Sequence, residues 1–314
     1  MTAEQKTGAV QADDLWPELK LASWQDSYST LHMLTQIVGK TRLALAPMEN
    51  HWWQVPLYVT ERGLTTSAMP YGGNVATVDF DFIYHNVGIR TSAGQTRVIP
   101  LVQRPVREFY IEYLDVLAAL GIGARIRGVP VEVETAIPFA EDTQHASYDP
   151  EAVNRWWRAM VQVDRVLKQF RGRFEGKASP VHFFWGSFDI AATRFSGRGA
   201  PLHPGGAPNC PDYVMQEAYS RECSSAGFWP GGGTQEAAFY SYAYPEPDGY
   251  RDFHVGPDEA YYDTNMREFI LPYDVVRTAP SPDETLLAFL ESTYEAAASR
   301  AAWDRNSLER RVKQ

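Results

Sequence analysis

The sequence predicts an α+β protein in which antiparallel sheets pack against helices in two similar halves. Three observations lead there. Apolar residues recur at helical spacing over several long stretches. Short alternating runs follow one another between those stretches instead of alternating one-for-one with helices. The order helix, aromatic strand, meander, helix occurs twice. The halves are read as 15–139 and 150–312, joined by the polar segment 140–149, with 1–14 as a disordered tail, and an internal duplication would explain the pattern.

The first helix is expected from a capping-box-like Ser23 and Asp26 through Trp24, Tyr28, Leu31, Leu34 and Ile37 to Gly39. His51–Thr60 is rich in strand formers. Thr77–Tyr84 alternates, with Val78, Phe80, Phe82 and Tyr84 on one face and Asp79 and Asp81 on the other. Val87–Thr91 and Thr96–Leu101 flank the turn Ser92-Ala93-Gly94-Gln95 and read as a hairpin. Pro105 opens a second helix that stops at Gly121. Arg125–Thr135 reads as a strand pair broken by Pro130.

In the second half Asp149 caps a helix opened by Pro150. Val153, Trp156, Met160, Val163, Leu167 and Phe170 form its one-sided apolar stripe. Val181–Phe195 reads as an aromatic strand, with Gly186 as a place for a bulge. Gly199–Asp212 is a Gly- and Pro-rich loop. Tyr213–Cys223 and Ala237–Tyr244 read as strands separated by a second loop, Ser224–Thr234. Phe269–Tyr273 is a short extended piece, and Ser281-Pro282-Asp283-Glu284 opens the last helix, running towards Trp303.

Bulk properties narrow the function classes. The 314 residues carry a formal charge of −10, with 44% hydrophobic and 13% aromatic content. With no basic cluster beyond Arg310, Arg311 and Lys313, neither nucleic acid nor an anionic membrane is expected as partner. No apolar run approaches the roughly 18 residues of a membrane span. The first 14 residues lack the apolar core of a signal peptide, and Cys210 and Cys223 form no Cys-x-x-Cys pair, so a cytoplasmic setting without metal or cofactor is expected. Gly39-Lys40 and Gly176-Lys177 follow helices and lack the earlier glycine of a phosphate-binding loop.

Site candidates concentrate in Gly176–Arg198. Its rings, with His182, Asp189, Arg194 and Arg198, have the composition of a ligand pocket wall, which is also that of a central strand in an aromatic core. His182 is the candidate acid–base group because imidazole titrates near neutrality, with Asp189 as a second catalytic candidate. Trp185, Arg194, Arg198, Trp229 and Tyr242 are candidate ligand-binding residues. The arginines would either hold an anion through their planar forks or pair with carboxylates such as Asp189 or Glu217. Tyr240, Tyr242 and Tyr244 with Trp229 make a stacking platform or simply cover a half-buried sheet. Both Gly-rich loops are expected to fold over the end of the 181–195 strand and wall off a pocket holding Arg194 or Arg198.

The stretch GKASPVHFFWGSFDIAATRFSGR, with NHWWQVPLYVT before it and SAGFWPG, FYSYAYPEP, FILPYD and WDR after it, closely resembles a bacterial family known as a domain of unknown function. The resemblance runs from about Trp16 to Glu309 and implies one globular unit. It implies no activity or site residue. The resulting expectation is a protein that binds a small polar or anionic molecule in an aromatic-lined cleft. The alternative is a structural or interaction protein with a filled core.

Overall fold

A computed structural model describes residues 15–233 and 235–310; the expected N-terminal tail lies outside them. Among these residues, seven helices and two six-stranded antiparallel sheets make the chain an α+β protein. The first half opens with α1 (Gln25–Leu45), continues with β1 (Tyr58–Val59), β2 (Gly63–Thr65), β3 (Met69–Tyr71), β4 (Asn74–Asp81), β5 (Asn86–Thr91) and β6 (Thr96–Pro100), and closes with α2 (Val106–Ala119). The second half runs α3 (Pro150–Gly172), β7 (His182–Phe184), β8 (Asp189–Gly199), α4 (Asp212–Ala218), β9 (Arg221–Trp229), β10 (Ala238–Tyr244), β11 (Tyr261–Asp263), β12 (Glu268–Pro272), α5 (Tyr273–Arg277), α6 (Pro282–Arg300) and α7 (Arg305–Leu308).

Both sheets begin as meanders. The first is ordered β1-β2-β4-β5-β6, with β3 beside β4; the second is β7-β8-β9-β10-β12, with β11 on the outer edge of β12. They meet at their first strands, where Leu57 and Phe183 exchange backbone hydrogen bonds, each 2.9 Å. Trp156 of α3 lies between the halves, with its ring 6.2 Å from Trp24, 5.8 Å from Phe82 and 4.9 Å from Phe188.

Several local expectations hold for the reasons given. The Asp149 carboxylate accepts from the amides of Glu151 (2.9 Å) and Ala152 (3.2 Å), capping α3. Val78, Phe80 and Phe82 are buried, whereas Tyr84 stands exposed in the turn after β4, and Asp79 and Asp81 pair with Arg90 of β5 and with Arg62. Gly94 turns the β5–β6 hairpin at φ 79°.

Others are corrected. Helix α1 does not stop at Gly39 but runs to Leu45, and neither Ser23 nor Ser281 caps its helix through its side chain. Only Tyr58–Val59 of the 51–60 stretch is strand, because His51 and Trp52 adopt left-handed φ values of 60° and 61°. Residues 125–135 form no strand; their backbone is held by loops instead, as where the Glu132 amide bonds Pro208 O at 2.7 Å. The 181–195 stretch is a hairpin folded at Trp185–Phe188, with Phe188 at φ 60°. The segment expected as strand from Tyr213 starts as α4, and Ser224–Trp229, expected as loop, lies in the central strand β9. Short apolar runs carry too few turns to separate the two periods. Short motifs that recur in the two halves, Gly-Lys and His followed by two aromatics, sit in different local structures. Gly39-Lys40 is inside a helix whereas Gly176-Lys177 follows one, and His51 is in a turn whereas His182 is in a strand.

Candidate functional site

One face of the second sheet is built from small residues flanked by rings. The registers Ala191↔Gly227↔Tyr240 and Thr193↔Ser225↔Tyr242 place these side chains in rows across β8, β9 and β10. The opposite face, with Ile190, Ala226, Phe228 and Phe239 buried, belongs to the core. Small side chains on β8 and β9 beside large ones on β10 leave a groove. The 3-10 turn Asn50–Trp52, the 127–132 segment, the end of the 200–211 loop and α4 border it.

Three adjoining hollows run along the groove. The first, about 320 Å³, is lined by Lys40, Trp52, Arg127, Glu132, Trp185 and Cys210 among others. The central one, about 210 Å³, is bordered by Trp53, Glu132, Asp189, Tyr219, Tyr240 and Tyr242. The third, about 280 Å³, is bordered by Asp189, Trp229, Tyr240, Met266 and Glu268. Glu132 is shared by the first two and Asp189 by the last two. A wider depression of about 450 Å³ beside α2 is shallow, and none of its lining residues is buried.

The polar groups are placed by specific local structure. Asp189 opens β8 after the tight turn and accepts hydrogen bonds from the hydroxyls of Ser187 and Tyr240. Tyr240 reaches it from β10 by crossing β9 at Gly227, where a Cβ would lie 2.5 Å from the tyrosine oxygen and 2.4 Å from Ile190 O. Gly227 is therefore a close-approach glycine. Glu132 sits at φ 57° between two clamps. Gln36 bonds both the amide and carbonyl of Val131 (2.9 and 2.8 Å), and Pro208 O takes the Glu132 amide. Its carboxyl lies over Gly186, where a Cβ would be 2.2 Å from Oε1. The hydroxyls of Tyr219 and Tyr242 are 2.6 Å apart, and those of Thr193 and Ser225 2.9 Å. His51, Trp52, Glu132 and Phe188, all in left-handed conformation, cluster at the groove or the turn beneath it, and such strain gathers where a site over-determines the backbone.

Acidic groups gather in the central and third hollows, whereas Lys40 and Arg127 line the first. Among the described residues none of Glu132, Asp189 and Glu268 forms an ion pair, whereas Asp164 and Glu222 pair with Lys168 and Arg198. Burial, reinforced by the Asp189 charge, pushes the Glu132 and Glu268 carboxyls up to about 7. Glu132 is nonetheless exposed along the groove, so water reaches its carboxyl even where neighbouring atoms crowd it. Burial also raises Asp189, opposed by its two hydroxyl donors. Two carboxyls with raised pKa thus flank a third that accepts two hydroxyl hydrogen bonds, an arrangement able to hold a cation or move a proton.

Of the residues singled out from sequence, Asp189, Trp185, Trp229 and Tyr242 line the groove. His182 does not. It is on the groove side of β7, paired with Ala191, but sealed under the rings of Trp53, Tyr58 and Phe184 with 0% exposure. Neither ring nitrogen has a hydrogen-bond partner among the described residues, and burial, with the charges of Arg42 and Arg171, drives its pKa down to about 3. It stays neutral near pH 7, so a titrating acid–base role is lost.

Arg194 points to the opposite face, 1% exposed, with its guanidinium 3.4 Å from the Phe170 ring centroid and bonded to Phe170 O. Arg198 grips Glu222 in a fork (2.5 and 2.8 Å) and reaches Ala301 O. Both arginines are outside the groove. The 200–211 loop does border a hollow, through Cys210 and Pro211, but that hollow contains neither arginine.

Sequence reasoning missed Glu132, Glu268, Tyr219 and Lys40. Period-2 spacing does put Tyr240 and Tyr242 on one face, but nothing local marks an acid in a coil or a lysine inside a helix as facing that platform.

Fold and groove together define a class: an α+β protein of two edge-joined antiparallel sheets, with an aromatic, acid-lined groove on the second. The chain belongs to a family of unknown function, DUF5996, whose model matches residues 16–310. No curated protein and no solved structure matches it.

Proposed function

We propose that this protein binds a small polar molecule in the groove on the second sheet. One observation carries the reading: adjoining hollows walled by rings contain three carboxyl groups that have no ion-pair partner among the described residues. An uncompensated buried carboxyl such as Asp189 destabilises a fold unless protons or a ligand neutralise it, and the convergence of the half-buried Glu268 and the exposed Glu132 on it supports a site. The rings offer stacking area, and the hydroxyls of Ser187, Tyr240 and Tyr242 offer orienting hydrogen bonds. The reading includes a cytoplasmic setting, supported by two free cysteines. It also includes an internal duplication, supported by the recurrence of helix, antiparallel strands and helix. The test is a thermal-shift screen over metabolites on the native chain and on Ala191→Leu, whose added side chain would enter the central hollow. A ligand of the groove raises the native melting temperature and leaves the variant's unchanged. A screen without hits, or hits that stabilise both proteins equally, would remove the reading.

A further inference from the structure

Lys40 is unusual among the buried cations. It projects from α1 with 3% exposure, yet its ammonium makes no hydrogen bond or ion pair among the described residues. Its contact is the face of Trp185, 5.6 Å from the ring centroid. Arg42 and Arg194, also buried, donate to the carbonyls of Gln54 and Phe170. Lys40 instead lines the first hollow, facing space walled by Trp52, Trp185 and Tyr213. Arg127, exposed at the same hollow, also has no hydrogen-bond or ion-pair partner for its guanidinium among the described residues.

A buried ammonium without a counter-charge is costly, and a second cation nearby adds to the cost. Burial and then the Arg127 charge lower Lys40 to about 8, only partly offset by Cys210 and Glu132. Glu132 lines the same hollow but forms no ion pair with Lys40, its carboxyl lying over Gly186 instead. The first hollow thus holds two cations without a paired counter-ion, while the far end of the groove holds Asp189 and Glu268.

We infer that the ligand of the groove carries an anionic group, a carboxylate or a phosphate, seated on Lys40 and covered by Arg127. The inference rests on the groove-binding reading above and adds polarity to it. The anion occupies the end near α1, and the remainder of the ligand extends over the tyrosines towards Asp189. An anion between the two cations removes their repulsion, and Lys40 gains the charge-assisted hydrogen bonds it lacks. The Trp52, Trp185 and Tyr213 rings favour an apolar or aromatic portion next to that group.

The test compares four probes of one shape and different charge: benzoate, phenyl phosphate, benzylamine and benzyl alcohol. Each is added to the native chain, to Lys40→Met and to Arg127→Ala. Binding is read by melting temperature and by the rate at which an amine-reactive ester labels each lysine. At least one anion should stabilise the native chain and protect Lys40, but not Lys168 or Lys177, from labelling; comparing benzoate with phenyl phosphate identifies the preferred group. Either substitution should weaken that anion about tenfold or more. Because Arg127 is exposed, its variant serves even if Lys40→Met does not fold. Binding of benzylamine or benzyl alcohol without either anion would overturn the inference and leave the groove reading intact. Anion binding that both variants retain, or that leaves Lys40 labelling unchanged, would place the anion elsewhere and also overturn it. If no probe binds the native chain, this inference falls, and the groove reading is decided by the metabolite screen.

Discussion

At the scale of single residues, His182 shows how burial reverses an expectation drawn from residue type. An imidazole in water changes charge near pH 6.5; sealed under three rings it remains neutral to about 3. Because the folded value lies below the unfolded one, the neutral side chain contributes stability that is present above pH 6.5 and lost as pH falls below it. His182→Leu removes two unbonded ring nitrogens and this titration. The native chain should lose about 2 kcal/mol through this group by pH 5. The variant should therefore show a smaller drop in urea stability between pH 7.5 and pH 5, while ligands of the groove bind it unchanged. His32, also buried and lowered to about 4, keeps part of the acid sensitivity in both proteins. Identical pH profiles would show that the environment of His182 is not what burial implies.

At the scale of elements, α1 illustrates a glycine retained for space. Gly39 occupies a helix interior, where alanine ordinarily stabilises by about 1 kcal/mol. Here a Cβ would stand 2.3 Å from Trp185 Cδ1, inside the indole that walls the first hollow. The Trp185 ring is held by its hydrogen bond to Val55 O at 2.8 Å and cannot swing freely. Gly39→Ala should therefore destabilise the protein by about 1–3 kcal/mol, the range for overpacking, and change the tryptophan emission. A stabilised variant in a urea titration would mean that Trp185 yields. The helix continues past Gly39 because its neighbours satisfy helical spacing and the glycine admits a partner from the other half. Read alone, a glycine followed by lysine resembles a helix end.

At the scale of the whole molecule, the halves complete each other. Trp156 stacks on residues of both, Tyr28 meets Phe188 at 4.9 Å, and the sheets share the reciprocal Leu57–Phe183 bonds. The groove follows the same plan: its floor belongs to the second sheet, while Lys40, Trp52 and Glu132 come from before the 140–149 segment. Neither 15–139 nor 150–310 alone should show a cooperative unfolding transition, because each would expose one side of this shared core to water. The full chain should unfold with coincident circular dichroism and fluorescence curves. A separately folding fragment would show that the interface is dispensable.

Local sequence determined what depends on near neighbours. The α+β class, the Asp149-capped helix, the Gly94 hairpin and the single-faced row of Tyr240 and Tyr242 all follow from periodicity and turn chemistry within a few residues. Tertiary structure decided what depends on distant partners. It turned Val181–Phe195 into a hairpin, put Ser224–Trp229 at the centre of a sheet and directed Arg194 away from the groove. It also brought Glu132, Lys40 and Glu268 to one surface from three separate segments. The physical reason is range: dihedral preferences and side-chain periodicity act between neighbours, whereas burial, charge coupling and the space left beside small residues depend on segments far apart in the chain.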